Sequence, residues 1–294
     1  MEDARFARAT WRVLEPLHAV VYFAPDVKTA FEDVGLHGFW RGYFASRAAP
    51  MGPVPPEVVI ATFYNFHPDM VRWAMADAWQ RAEPAAVTAS RLRLAERTLR
   101  AWLGEDALAS PDVAEAAALA RRMAEAASPL GRPLFAAYTT LDWPDEPHVI
   151  LWHAATLLRE HRGDGHVVTL VGEQIDGCEA NVLAGASGAT TGELQQASRQ
   201  WPDEEWGAAT ERLRLRGWID TDSTLTQAGS AARGRLEDRT DELAAPPLAV
   251  LDDVERRRLL DLLERLSRAV LDAGAITFPN PIGLPDPREP ADPP

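Results

Sequence analysis

Arg214-Leu215-Arg216-Gly217-Trp218-Ile219-Asp220-Thr221-Asp222-Ser223-Thr224-Leu225-Thr226-Gln227-Ala228-Gly229 decides how the rest of the chain is read. Gly217 stops a helix, because glycine enters the left-handed conformation that ends helices without steric cost. That helix begins at Pro202, a residue suited to a first turn. Asp203, Glu204 and Glu205 follow, where the helix dipole favours negative charge. Trp218-Ile219 and Thr224-Leu225-Thr226 have β-forming composition and flank the turn residues 220–223. Two short strands are expected there. Gln227-Ala228-Gly229 then opens a long helix to about Leu243, and a shorter helix over 192–200 comes before the whole unit.

Helix, helix, hairpin, helix is the order of a winged helix-turn-helix. Working outward, residues 5–23 place Phe6, Trp11, Leu14, Leu17, Val20 and Val21 at helical spacing. Prolines and glycines then punctuate helices over 25–34, 55–64, 68–79, 84–104 and 111–127. A helix over 148–162 is expected to end at Gly163, with Asp164 capping the next one. Residues 254–273 carry Leu259, Leu260, Leu262, Leu263, Leu266 and Val270, an amphipathic stripe. The expected fold is mainly α: a multi-helix N-terminal domain over 1–140, then a C-terminal winged helix-turn-helix with a small β-hairpin wing over 141–275. A Pro-rich tail over 276–294 is expected to be extended or disordered.

Composition narrows the function classes. The chain has 294 residues and a net charge of -14, whereas a nucleic-acid binder usually presents a basic face. No apolar run is long enough for a membrane span, and the first residues lack a signal-peptide pattern. A cytoplasmic protein is expected. A single cysteine, Cys178, excludes an internal disulfide and a cysteine-rich metal site.

Four of the seven histidines fall within residues 148–166. His153, Glu160, His161 and His166 are candidate ligand-binding groups, able to hold a polar ligand or exchange protons near neutral pH. Arg159 and Arg162 could clamp a carboxylate or phosphate. Residues 38–52 add an aromatic segment in which Tyr43 and Arg47 are candidates for a pocket wall, and His67 precedes a helix start. A second reading stands beside this one. His161 is then a hydrogen-bonded core histidine, Arg159 and Glu160 are solvated, and Gly163-Asp164 is a cap. The histidine spacing matches no known metal motif, and nothing in it names a cofactor or specifies haem.

The segment 214–229 resembles the recognition helix, wing and following helix of MarR-type regulators. The whole chain is similar to an actinobacterial family labelled as helix-turn-helix proteins. The similarity rests on residues 38–52 (Gly-Phe-Trp-x-Gly-Tyr-Phe-Ala-x-Arg-Ala-Ala-Pro), 63–68, 151–166, 216–229 and Asn280-Pro281-Ile282-Gly283-Leu284. The resemblance implies a MarR-like regulator, with helices near 228–243 and 254–273 where such proteins dimerise; with the candidate pocket, the leading expectation is a ligand-responsive transcriptional regulator. Charge argues against DNA binding. Residues 193–241 hold seven arginines against ten acids, and Asp220 and Asp222 sit where a wing usually adds basic groups. Arg212, Arg214 and Arg216 are the candidate phosphate contacts. The alternative is an enzyme or a small-molecule, metal or haem-binding protein that uses residues 148–166, with the winged helix purely structural.

Overall fold

A computed structural model describes residues 3–188 and 190–284 of the chain. The first half holds α1 (Asp3–Phe23), α2 (Val27–Glu32), α3 (Phe39–Ala48), α4 (Pro56–Phe63), α5 (Pro68–Met75), α6 (Ala78–Arg81), α7 (Pro84–Leu103), α8 (Glu105–Leu108), α9 (Pro111–Ala126) and α10 (Pro133–Tyr138). The second half holds α11 (Pro147–Gly172), α12 (Gly177–Ala186), α13 (Gly192–Arg199), α14 (Asp203–Leu215), α15 (Gln227–Ala244) and α16 (Asp253–Asp272). Several starts follow directly from sequence. Pro56, Pro68, Pro84, Pro111, Pro133 and Pro147 each occupy a first turn, where the missing N–H would be unpaired anyway. Asp252 and Glu255 form a reciprocal capping box that starts α16.

Buried side chains gather in two cores. The larger takes its apolar groups from α1, α3, α7, α9, the first half of α11, and α16. Leu259, Leu262, Leu263, Leu266 and Val270 recur at helical spacing and supply the α16 face. α11 packs most extensively against α9, whose buried face is largely alanine (Ala116, Ala117, Ala120, Ala124), so the two backbones approach closely. The smaller core joins Leu170, Ile175, Val182, Leu183, Ala209, Leu213, Ile219 and Leu236. It is the helix-turn-helix unit. α15 and α16, the helices expected to support a homodimer, both pack against α1 within the chain.

The hairpin wing expected over 218–226 does not form, and the fold is all-α rather than α with a β wing. Among the described residues there is no strand, only an isolated antiparallel bridge between Ile219 and Leu225. The reason is local. Gly217 ends α14 with φ 71°, and Thr226 already caps α15 by accepting from the Gly229 N–H. Between them, Asp220 draws the loop shut: its carboxylate accepts from the Asp222 and Thr224 N–H groups and from the Thr224 hydroxyl. No residues are left to extend a ladder.

The break expected at Gly163-Asp164-Gly165 is also absent. α11 runs unbroken for 26 residues, about 39 Å at the usual rise, and links the two cores. Asp164 caps a different helix, accepting from the Phe135 N–H in the first turn of α10 at 2.9 Å. Gly165 makes room for Arg132, whose guanidinium donates to the carbonyls of His161 and Leu243. A Cβ at Gly165 would stand 2.6 Å from that guanidinium. Tertiary partners thus use the polar groups that local reading assigns to a helix end.

The start of the Pro-rich tail is packed. Ile276, Asn280 and Leu284 are buried, and the Asn280 amide holds both the N–H and the carbonyl of Leu284. Residues 285–294, also part of the expected tail, lie outside the described residues.

Candidate ligand-binding site

α3 presents Tyr43 and Arg47 one turn apart on a buried face. The guanidinium of Arg47 lies over the Phe63 ring at 4.3 Å and donates to the Tyr43 hydroxyl at 3.1 Å. It also donates to both Glu160 oxygens, at 3.1 and 3.0 Å. Arg159 donates to Glu160 at 2.9 Å and pairs with Glu15 of α1 at 3.5 Å. Tyr43, Arg47, Glu160, Arg159 and Glu15 thus form one connected polar chain. Glu160 is 1% exposed. Burial alone would raise its carboxyl, but the charges of Arg159, Arg47 and Arg91 outweigh that and hold it below the ordinary range. Glu15 goes the other way. Burial raises it, and Glu160 adds to the rise, against the pull of Arg159.

Arg199, the last residue of α13, faces the same place from the helix-turn-helix unit. It is buried, lies over the Phe66 ring at 4.5 Å, and donates to the Pro281 carbonyl at 2.6 Å and the Ser198 hydroxyl at 3.2 Å. Among the described residues no carboxylate forms an ion pair with it. Burial lowers its guanidinium to about 10; Tyr43 opposes this, while Arg47 and Arg159 add to it. A cavity of about 280 Å³ opens between the cores, with Arg47, Arg159, Glu160 and Arg199 in its wall. Arg162 and His166 line it too. Arg162 pairs with Glu237 at 3.2 Å and Asp241 at 2.7 Å, and His166 meets the Thr240 hydroxyl at 2.9 Å.

Of the residues singled out from sequence, then, Arg47, Arg159, Glu160, Arg162 and His166 share one cavity, and Tyr43 is hydrogen-bonded to it. His153, His161 and His67 lie apart. His153 packs edge-on to Trp143 at 4.8 Å and borders a second cavity. His161 packs on Phe135 at 5.1 Å, and burial, helped by Arg132, lowers its imidazole to about 3. His67 caps α5 and meets Glu205 of α14 at 3.1 Å. Among the described residues no group of three His, Cys, Asp or Glu side chains could hold a metal ion. Arg199 and Glu15 escape sequence reading. An arginine in a short polar helix and a glutamate mid-helix carry no local signal of a site.

The three arginines expected to touch DNA are tied down within the unit. Arg212 donates to Glu179 at 2.9 Å and to Asp176. Arg214 donates to the carbonyls of Asp220 and Thr221, both at 3.1 Å. Arg216 donates to the Gln174 carbonyl at 2.6 Å and lies over Trp218. Asp203, Glu204 and Glu205, in the first turn of α14, are all exposed.

An all-α chain with a compact helix-turn-helix unit on a larger helical body defines the class. Residues 7–277 match a helix-turn-helix family, and the chain belongs to it. No curated protein and no solved structure matches the chain. At a coarse level the family suggests a DNA-binding regulator. No helix among the described residues is long and apolar enough to cross a membrane.

Proposed function

We propose that this protein is a ligand-responsive helix-turn-helix regulator whose effector is a small anion carrying a carboxylate or phosphate. The observation that carries the reading is Arg199: a buried guanidinium with only neutral partners, beside two further arginines and an open cavity. A buried charge without a counter-charge is costly, and an anion in that space would neutralise it. Arg199 also ends α13, the helix before the turn into α14, and its carbonyl accepts from the His67 N–H at 3.0 Å. An anion drawing on this side chain would therefore act on the helix-turn-helix itself.

Thermal shift and calorimetry with phosphate, citrate and succinate on the full chain test the effector half. At least one anion should stabilise the protein, and Arg199→Gln should remove the effect. Stabilisation that survives Arg199→Gln overturns the assignment. Fluorescence anisotropy on DNA from the gene's own upstream region, at low salt with and without the anion, tests the output. Binding should weaken steeply with salt and change with the anion.

A second reading is a ligand-binding protein or enzyme in which the helix-turn-helix is scaffold. It is favoured by the exposed acids opening α14 and by the internal engagement of Arg212, Arg214 and Arg216. No DNA binding even at low salt, together with anion binding, selects it.

A further inference from the structure

A separate cavity of about 430 Å³ lies between the N-terminal helices and the first half of α11. Its walls are largely apolar, built from Ala49, Ala89, Leu92 and Trp152. Two buried polar side chains border it, Arg91 of α7 and Tyr138 of α10, each 2% exposed. Arg91 donates to the Tyr22 hydroxyl at 3.0 Å and to the Ser46 hydroxyl at 3.3 Å, and its Nε has no partner. Among the described residues no carboxylate pairs with it. The Tyr138 hydroxyl is buried with no partner at all. Unsatisfied buried donors are rare in folded proteins, and a buried cation with only neutral partners is rarer still.

Together these features fit a ligand that is apolar over most of its surface and has one anionic head that accepts hydrogen bonds. We propose that this cavity binds a monocarboxylate with an aliphatic or aromatic body. Arg91 supplies the counter-charge, and Tyr138 donates its free hydroxyl to a carboxylate oxygen. The other ionisable groups on the lining fit this assignment. His153 is neutral, because burial, aided by Arg121, lowers it to about 4. Asp142 is exposed at the rim, where water screens it. The site is distinct from the cavity at Arg199, whose wall carries several charged side chains of both signs.

Calorimetric titration of the full chain with decanoate, below its micellar range, and with decan-1-ol tests the proposal. The pair shares the apolar body and differs in the charged head. Decanoate should bind about 10- to 100-fold more tightly, the range expected for hydrogen bonds to a charged partner. Arg91→Gln should abolish that preference, while Arg199→Gln leaves it intact. Since Arg91 sits in a buried network, Ala89→Trp gives an independent arm. Ala89 is partly exposed on the cavity wall, so filling the space there should block both ligands with little effect on the fold. Equal affinity for the two ligands overturns the proposal, as does binding of neither. Undiminished binding by Ala89→Trp, or a decanoate preference lost with Arg199→Gln, overturns it too.

Discussion

One Arg47 nitrogen donates to both oxygens of Glu160, joining α3 to α11 across 113 residues of chain. Arg159 shares the same carboxylate. Glu160→Gln keeps the shape and removes the one charge both arginines use. The buried Arg47 guanidinium then loses its counter-charge while the half-buried Arg159 keeps only Glu15, and stability should fall by about 3–5 kcal/mol. Urea unfolding followed by circular dichroism measures this. An unchanged midpoint contradicts the pairing.

Gly163 lies inside α11 without a positive φ, and a Cβ there would meet only a Glu160 oxygen at 3.7 Å. Gly163→Ala should therefore stabilise the protein by about 0.5–1 kcal/mol, the usual gain of alanine over glycine in a helix. Gly165→Ala should destabilise it, because Arg132 must surrender its two carbonyl bonds. Were Gly163 a left-handed helix end, the first substitution would lower the melting temperature instead.

Acidification should weaken the fold. His153 and His161 are lowered from 6.5 to about 4 and about 3, chiefly by burial. Below pH 6.5 the unfolded chain takes up a proton on each that the folded chain refuses. Each histidine then removes about 1.4 kcal/mol per pH unit as pH falls toward its folded value. Asp164 acts in the opposite sense. Burial raises it from 3.8 to about 6, so between those values the folded form holds the extra proton. Glu15 and Asp241, which burial also raises, join Asp164 in offsetting part of the slope, while His18, His148 and His166, which burial also lowers, add to it. Urea midpoints at pH 6.5, 5.5 and 4.5 should descend, and His161→Gln should flatten the descent. A midpoint constant over this range would falsify the assignment of neutral buried histidines.

Arg212 bonds Glu179, whose side chain is 2% exposed and whose other oxygen closes the cap of α12. Arg212→Ala should cost about 1 kcal/mol by leaving that carboxylate oxygen unpaired. If DNA binding is found, the same variant should leave its salt dependence unchanged. A phosphate contact would instead reduce the log–log slope by about 0.9.

Periodicity made much of the helical scaffold legible. The α16 stripe, the proline starts and the Gly217 stop all read directly, because each is a property of a few neighbouring residues. Long-range use of local signals is what hid the rest. Gly163-Asp164-Gly165 has every mark of a helix end until Phe135 and Arg132 arrive from elsewhere in the chain. The wing failed because Asp220 closed its own loop. Arg47, Arg159 and Glu160 could be named as candidates by type, but not that they share one carboxylate. Arg199 was one arginine among 29, and its distinction is the absence of an acid beside it. Histidine density does not mark a single place in the fold, since His153 and His161 are buried against different aromatic neighbours while His166 lines the cavity.

The larger core draws on helices far apart in sequence, with α1 packed on α16. The smaller core's buried side chains all lie between residues 170 and 236. During synthesis the middle of the molecule can therefore settle while α16 is still unmade. The part of the α1 face that α16 covers waits until residues 253–272 are made, while α7, α11 and α15 can pack on α1 earlier. A nascent chain halted before residue 253 would hold a finished helix-turn-helix beside a larger core still open on its α16 side, an exposed apolar face of the kind that chaperones recognise.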